Sequence, residues 1–582
     1  MVVMTGGEAV VRCLESEGIE YVFGLCGHAN LALLDALNDS SIKFIGVHHE
    51  QVAAHAADAY FRVTHKPAVV MTTVGPGVTN AITGVADAAL DASAMVLFCG
   101  AIPSDYVGRE ALQELGLHGD DEQFEIYKPF TKRVVKVAQA HLLPHAVAKA
   151  FNFALTGCPG PVMVNVPMDF YSARQEFAIP EVTKRRPGAT RTRGDRAAIV
   201  RAVTLLRQAE HPLMFAGGGV LLSEAWCELQ ALAEHLAIPV ATSMSGQGAI
   251  PGDHPLAAGF TGSVGTPVSH ALAQEADVVL AVGTRFPEMD TSSWRPEYFI
   301  KVPPATLIHV DINPHEIGRI YPTEVGMVGD ARAVLAEMVE VARLQAPPVD
   351  WRNAPRTRDL ARRRQEWLSQ SEEHRHSDAT PLVPERLLAD LRRALPREGI
   401  LVAGVGIRHA VGQHFPIYDP MTLLVASGFT TMGFEVAAAL GAKIGRPDRP
   451  VVSLCGDGAF NSVISAIPTA VQYGIGAVWI VLNNGGYSSI ELYQHRHYQR
   501  TLGTIFQIEA EGRPYSPDYV GLARAYGAQA ERVAHPDQLS GALERALQAG
   551  KPYVLEVLMT NRPRIRATGH WDVNDILSPK QA

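Results

Sequence analysis

The sequence predicts an α/β protein built from three doubly wound parallel-sheet domains, and three observations carry that expectation. Short, continuous apolar runs ending in glycine recur along nearly the whole chain, with helix-like segments between them. Two polar stretches, 179–196 and 346–384, interrupt this rhythm and divide it into parts of similar size. At 582 residues the chain is also too long for a single hydrophobic core. The expected domains are therefore 1–178, 195–345 and 380–562, followed by a tail at 563–582.

Buried parallel strands read as unbroken β-branched runs, because both faces are covered by crossover helices. In the first part such runs are IKFIGVHHE, PAVVMTTVGPG, AMVLFCGA and PVMVNVP. The second part has PLMFAGGG, DVVLAVGTR and TLIHVDI, and the third has VVSLCGDG and AVWIVLNN. The N-terminus, MVVMTGGEAVVRCLESEG, has the pattern of an amphipathic helix and lacks a signal-peptide layout. The stretch IPEVTKRRPGATRTRGDR is rich in Pro, Arg and Thr without apolar periodicity. In the second break, Arg362-Arg363-Arg364 reads as a solvated helix face, because acidic residues interleave and no aromatic array accompanies it. The tail has no strong pattern; its ordering over a site and its remaining free both stay open.

A formal net charge of −9 without a long acidic block argues against nucleic acid as a partner. No apolar stretch approaches the ~18 residues that would suggest a membrane span, so a cytoplasmic location is expected. The six cysteines are scattered and none forms a C-x-x-C pair. They read as buried reduced thiols rather than a metal or disulfide framework.

The most specific chemical signal lies in the third part. The run PVVSLC leads into Gly456-Asp457-Gly458-Ala459, then the helix-like NSVISAIPTAVQYG, then AVWIVL ending in Asn483-Asn484-Gly485-Gly486-Tyr487. Adjacent parallel strands end on one edge, so Asp457 and Asn484 are expected on neighbouring loops. A carboxylate and an amide oxygen together suit Mg²⁺, a hard cation that usually keeps phosphate company. The glycines allow backbone N–H groups to approach a diphosphate. A plain βαβ unit with tight turns is the competing explanation.

With this layout the sequence resembles the thiamine-diphosphate-dependent enzymes, and in particular their acetolactate synthase-like branch. The resemblance implies three domains that bind the pyrimidine, a nucleotide or nothing, and the diphosphate. It implies Asp457, Asn484 and the main chain of Gly486 as metal ligands, with Gly456, Gly458, Ala459 and Tyr487 around the cofactor. It also implies that Glu50, at the start of a small-residue helix, is catalytic. A carboxylate hydrogen-bonded to N1′ of the aminopyrimidine favours the imino tautomer, whose 4′ nitrogen takes the C2 proton of the thiazolium ring. Through the shared stretch TTVGPGVTNAITG the resemblance also implies Gly75, Pro76, Gly77 and Asn80 as cofactor contacts, and through SGFTTMGFEVAAALGA it implies Met432 as the bulky apolar residue that props the cofactor bent.

Several positions depart from the family pattern. Ile407-Arg408 follow Gly404-Val405-Gly406 where Gln-His is usual, which leaves Gly406 and Arg408 as phosphate contacts. His28 and Cys26 replace customary small residues and Pro in the loop VFGLCGHAN, and His28 is expected to face substrate. Gln113 matches the Gln of a Gln-Glu pair near cofactor or substrate. Glu435 stands where the family carries no charge. In the middle part, Gly218, Arg285 and Asp311 are the expected contacts of FAD. The resemblance implies a 2-oxo acid decarboxylase and carboligase. A lyase or hydrolase cleaving a 1,2-diketone without CO₂ release is the alternative, and a cofactor-binding protein without turnover a third reading. Active sites shared between subunits of a homodimer or homotetramer are implied too.

Overall fold

The computed structural model describes residues 2–115, 123–180, 191–561 and 568–577. Three six-stranded sheets, parallel throughout, follow one another along the chain. The first runs in the spatial order Lys43–Gly46, Tyr21–Gly24, Ala68–Thr72, Met95–Ala101, Val162–Pro167, Arg133–Lys136. The second is Ala257–Phe260, Val240–Thr242, Pro212–Ala216, Val278–Val282, Thr306–Asp311, Val325–Val328. The third is Leu423–Leu424, Ile400–Ala403, Val451–Gly456, Val478–Asn483, Tyr553–Leu558, Gln529–Val533. Inner strands such as Ala68–Thr72, Met95–Ala101, Val278–Val282 and Val478–Asn483 are buried along their whole length, as the unbroken apolar runs require.

This topology fixes where ligands bind. In each sheet the chain starts on an inner strand, moves outward (by one strand in the first and third sheets, by two in the middle one), then returns to build the other side. The order therefore reverses beside Tyr21–Gly24, Pro212–Ala216 and Ile400–Ala403. At such a switch point the loops leaving the carboxyl ends diverge and open a crevice. The loops at these three places are Leu25–His28 with Thr73–Pro76, Gly217–Gly219 with Gly283–Arg285, and Gly404–Arg408 with Gly456–Gly458.

The N-terminal reading is corrected in part. Val2–Thr5 is a strand, paired antiparallel with Arg174–Phe177, and the amphipathic helix begins only at Gly6. Thr5 ends the strand by accepting from the Glu8 amide at 3.2 Å in a capping box. The stretch after Asp457 is likewise two short helices, Asp457–Ser462 and Ala466–Gln472. The polar break 346–384 holds the helix Pro355–Arg375. Arg362 does lie in solvent with Asp359 and Glu366, but Arg364 turns inward to the carbonyls of His254 and Gly252. Positions 181–190 of the first break lie outside the described residues, as do 562–567 and 578–582 of the tail. Cys13, Cys99 and Cys455 are buried thiols as expected, whereas Cys26 and Cys227 are exposed.

The first and third sheets meet through two helices, Glu50–Thr64 and Phe434–Gly445. Both are nearly all small residues where they cross, which lets the backbones touch: a Cβ on Gly441 would overlap the carbonyl oxygen of Ala56. Arg62 fastens the junction, donating to Asp58 at 2.7 Å, Asp91 at 2.9 Å and the carbonyl of Val425 at 2.7 Å.

Candidate active site

At the switch point of the third sheet, Asp457 is the first residue of its helix and only 1% exposed. Its Oδ1 accepts from the Gly458 amide at 2.7 Å, and its Oδ2 from the amides of Gly485 at 2.8 Å and Asn484 at 3.2 Å. The loop Asn484–Gly486 is thus tied to the carboxylate. Burial raises the Asp457 pKa, and these amides oppose the rise by favouring the ionised form. Asn484 donates from Nδ2 to Ser488 Oγ at 2.9 Å, leaving its Oδ1 buried and without a hydrogen-bond partner among the described residues. A buried acceptor beside a buried carboxylate is what a hard cation would satisfy. Asn483 does something else: its Nδ2 donates to Glu556 at 2.7 Å and Ser516 at 2.8 Å, inside the sheet.

Around this centre, Gly458 packs against the Tyr487 ring, and Gly406 is exposed with Ser489 as its neighbour across the crevice. Gly456 and the buried Ala459 flank Asp457. Met432 is 42% exposed. It stands on the loop before Phe434–Gly445, so the simple reading of a core methionine fails. Arg408 is buried and committed elsewhere, donating to the Ala426 carbonyl at 2.8 Å and Thr430 Oγ1 at 3.3 Å.

Beside the switch point of the first sheet, after the edge strand Lys43–Gly46, Glu50 opens its helix, capped by His49, whose Nδ1 accepts from the Gln51 amide at 3.2 Å. Glu50 is 3% exposed, and its Oε2 accepts from Asn80 Nδ2 at 3.0 Å. A Cβ on Gly77 would stand 3.2 Å from Oε1. Gly75, with φ +63°, turns the chain into Pro76 at the start of the next helix, beneath the backbone of Gln113. The Gln113 side chain is exposed. His28 is exposed on the loop whose Ala29 amide reaches Thr73 Oγ1 at 3.4 Å, and a Cβ on Gly77 would also touch Thr73. One edge therefore brings His28, Gln113, Asn80 and Glu50 together through Thr73 and Gly75.

Sequence reasoning missed Gln123, which is buried. It accepts from the Gly75 amide at 3.3 Å and donates to Asn165 at 2.7 Å and the Gly100 carbonyl at 3.0 Å. No motif marks it, because it acts by holding a loop. Also missed was the pair His55 and Asp87, with Nδ1 and Oδ2 3.4 Å apart and both fully buried. Burial drives the His55 imidazole down to about 3 and the Asp87 carboxyl up to about 7. Glu435 lies near them. Neither of its carboxylate oxygens has a hydrogen-bond partner among the described residues, and burial lifts its pKa to about 7.

The switch point of the middle sheet opens into a cavity of about 560 Å³ lined by Gly218, Arg285, Asp311, Asp290 and Asn313. Arg285 donates to the Leu90 carbonyl, and Asp311 accepts from the Asn313 amide at 2.8 Å. The tail returns to this neighbourhood: Thr568 donates to the Gly265 carbonyl at 2.6 Å, Asp572 accepts from Arg295 at 2.8 Å, and Trp571 meets Tyr493 edge-on at 5.6 Å. It thereby joins the middle domain to the helix Ser488–Tyr498 that follows Tyr487.

The domain families match in the same order. Residues 4–124 match the N-terminal TPP binding domain of thiamine pyrophosphate enzymes, 199–338 their central domain and 404–557 their C-terminal TPP binding domain. Similarity also runs over nearly the entire chain to the probable acetolactate synthase large subunit of Methanocaldococcus jannaschii, at 33% identity, covering 96% of this chain and 92% of that protein. The chain belongs to the thiamine pyrophosphate enzymes, in the acetolactate synthase branch. The acetolactate synthase large subunit of Corynebacterium glutamicum is 34% identical over 96% of this chain and 87% of its own length. For the isozyme 3 large subunit of Escherichia coli the figures are 32%, 94% and 93%. In this thiamine pyrophosphate enzyme, the two TPP binding domains are the ones that carry Glu50 and Asp457.

Proposed function

We propose that this enzyme is a 2-oxo acid decarboxylase and carboligase that works with thiamine diphosphate and Mg²⁺. The observation that carries the reading is the Asp457–Asn484 pair, a buried carboxylate next to a buried amide oxygen without a partner, on the family's diphosphate-side domain. Asp457, Asn484 Oδ1 and the Gly486 carbonyl would hold the cation, with Gly406, Gly458 and Tyr487 around the diphosphate. When bound, thiamine diphosphate supplies the electron sink that lets a 2-oxo acid lose CO₂.

The protein's share is placement and proton control. Glu50, itself buried and fixed by Asn80, would hold the aminopyrimidine of the bound cofactor by a charge-assisted hydrogen bond and so influence which of its nitrogens carries a proton. Met432 presents an apolar face to the cofactor from its loop, while His28 and Gln113 serve the substrate end. Arg408 steadies the Ala426–Thr430 loop, a support for phosphate binding from behind. The 560 Å³ cavity of the middle domain suits a nucleotide, and we assign it FAD, with Asp311 at the ribose, Arg285 at phosphate and Gly218 at the approach. Visible flavin absorption in the purified protein tests that assignment. We further place the enzyme in the cytoplasm as a homodimer or homotetramer, with Glu50 of one subunit facing Asp457 of another.

The test supplies the two cofactors, a panel of 2-oxo acids and 1,2-diketones, and product identification by mass, beside Glu50→Gln. CO₂ together with an acetohydroxy acid or acyloin, lost in the variant, is expected. Diketone cleavage without CO₂ would replace the reading with a lyase or hydrolase.

A further inference from the structure

A second cavity, of about 480 Å³, lies away from all three switch points, where the helix Pro355–Arg375 bridges the middle and third domains. Its size is that of a small-molecule site. Trp367 and His414 stack within its wall, ring centroids 5.9 Å apart and planes 18° apart, each 7% exposed. Trp367 Nε1 and His414 Nδ1 have no hydrogen-bond partner among the described residues. A buried indole N–H without an acceptor costs free energy, so an occupant that accepts from it is favoured.

Charge in the lining is unbalanced toward the positive. Asp253 is paired with Arg397, and Arg364 is engaged by two carbonyls. Arg393 is paired with Asp390. Among the described residues Arg375 has one loose partner, Glu372, at 4.0 Å; that carboxylate also edges the cavity, but it is 62% exposed and pairs more closely with His376, at 3.0 Å. The imidazole of His414 stays neutral, pulled down to about 4 by burial, with Arg375 and His374 adding to the effect. Around these groups stand apolar walls from Phe415, Ile417 and Phe260.

We propose that this cavity binds a small organic carboxylate with an aromatic or branched apolar body, its head facing Arg375 and its body lying against the Trp367–His414 pair. The body carries one acceptor for the indole N–H. Such an occupant spans the bridging helix and both domains it connects, and it stabilises their mutual arrangement by mass action.

The test is calorimetric titration of the holoenzyme, saturated with thiamine diphosphate and Mg²⁺, with 4-hydroxyphenylacetate as probe and 4-hydroxyphenylacetamide as uncharged control. One saturable site per chain is expected, with the amide much weaker. Arg375→Gln should weaken binding about tenfold, as loss of a charge-assisted hydrogen bond does, and Ile417→Trp, which fills the cavity, should abolish it. Thermal unfolding checks that each variant folds and repeats the reading: the probe should raise Tm in the wild type but not in Ile417→Trp. Absence of saturable binding, or equal binding by the wild type and a folded Arg375→Gln, would overturn the proposal.

Discussion

Two carboxylates, Glu50 and Asp457, each begin a buried helix, yet their partners prepare them for different work. Asp457 accepts from backbone amides that aim it and favour its ionised form against the upward pull of burial, which suits the proposed role of metal ligand. Among the described residues Glu50 has one side-chain donor, Asn80, and so retains capacity for a hydrogen bond to a ligand. Glu50→Gln should leave the fold intact and lower turnover by about 100-fold or more, the size of a general acid–base contribution; unchanged turnover would remove Glu50 from the mechanism. Asn484→Ala should raise the Mg²⁺ concentration needed for half-maximal cofactor binding by at least about tenfold, read by titrating the apoenzyme. At this scale the sequence was legible where chemistry forces a residue type, as at Asp457. It was silent on Gln123, whose role exists only once the chain has brought Gly75, Gly100 and Asn165 together. The Asn483-Asn484 doublet was half legible, since spacing alone does not show that Asn483 faces the sheet.

Among the elements, the crossing of Glu50–Thr64 with Phe434–Gly445 couples the two cofactor-binding domains. Its small residues read from the sequence as a buried face, but the partner of that face did not, because nothing local encodes a contact across nearly 400 positions. Gly441→Val forces a side chain onto the Ala56 carbonyl and should cost about 3 kcal/mol, the upper end of overpacking, measured as a lower urea midpoint. Close to that crossing, Glu435 and Asp87 are buried acids whose pKa values both rise to about 7. For a carboxyl raised in the fold, its contribution to stability is fully present below its unfolded value of 4.5 and is lost as pH climbs through about 7. Glu435→Gln, which mimics the protonated acid, should therefore match the wild type near pH 4.5 and exceed it by about 3 kcal/mol above pH 8. Equal urea midpoints at both pH values would show that Glu435 is not desolvated.

Across the whole molecule, the first and third sheets repeat one strand order, the middle sheet has another, and each places distinctive glycines at the point where strand order reverses. The apolar runs announced the sheets because complete burial demands them. That Asp457 and Asn484 share an edge followed from the parallel-strand pattern, whereas the strand order that sets Gly404–Arg408 beside Gly456–Gly458 is a property of the crossovers that the runs do not encode. The placement of the tail was open from the sequence, because its patternless residues are held by distant partners, among them Ser263, Gly265 and Arg295 on the middle domain and Tyr493 on the third. Among the described residues of one chain, no hydrogen bond or ion pair joins Glu50 to Asp457 or Asn484. The proposed sharing of a site between subunits predicts that sedimentation of the active enzyme finds a dimer or larger; a fully active monomer would contradict it. The central claim is decarboxylation followed by carbon–carbon bond formation. The most direct measurement is incubation of the enzyme, thiamine diphosphate and Mg²⁺ with carboxyl-labelled pyruvate, following labelled CO₂ and the mass of the product together. Labelled CO₂ released alongside a product joining two pyruvate-derived units is the predicted result, whereas no release of label, with a 1,2-diketone cleaved in a parallel reaction, would contradict it.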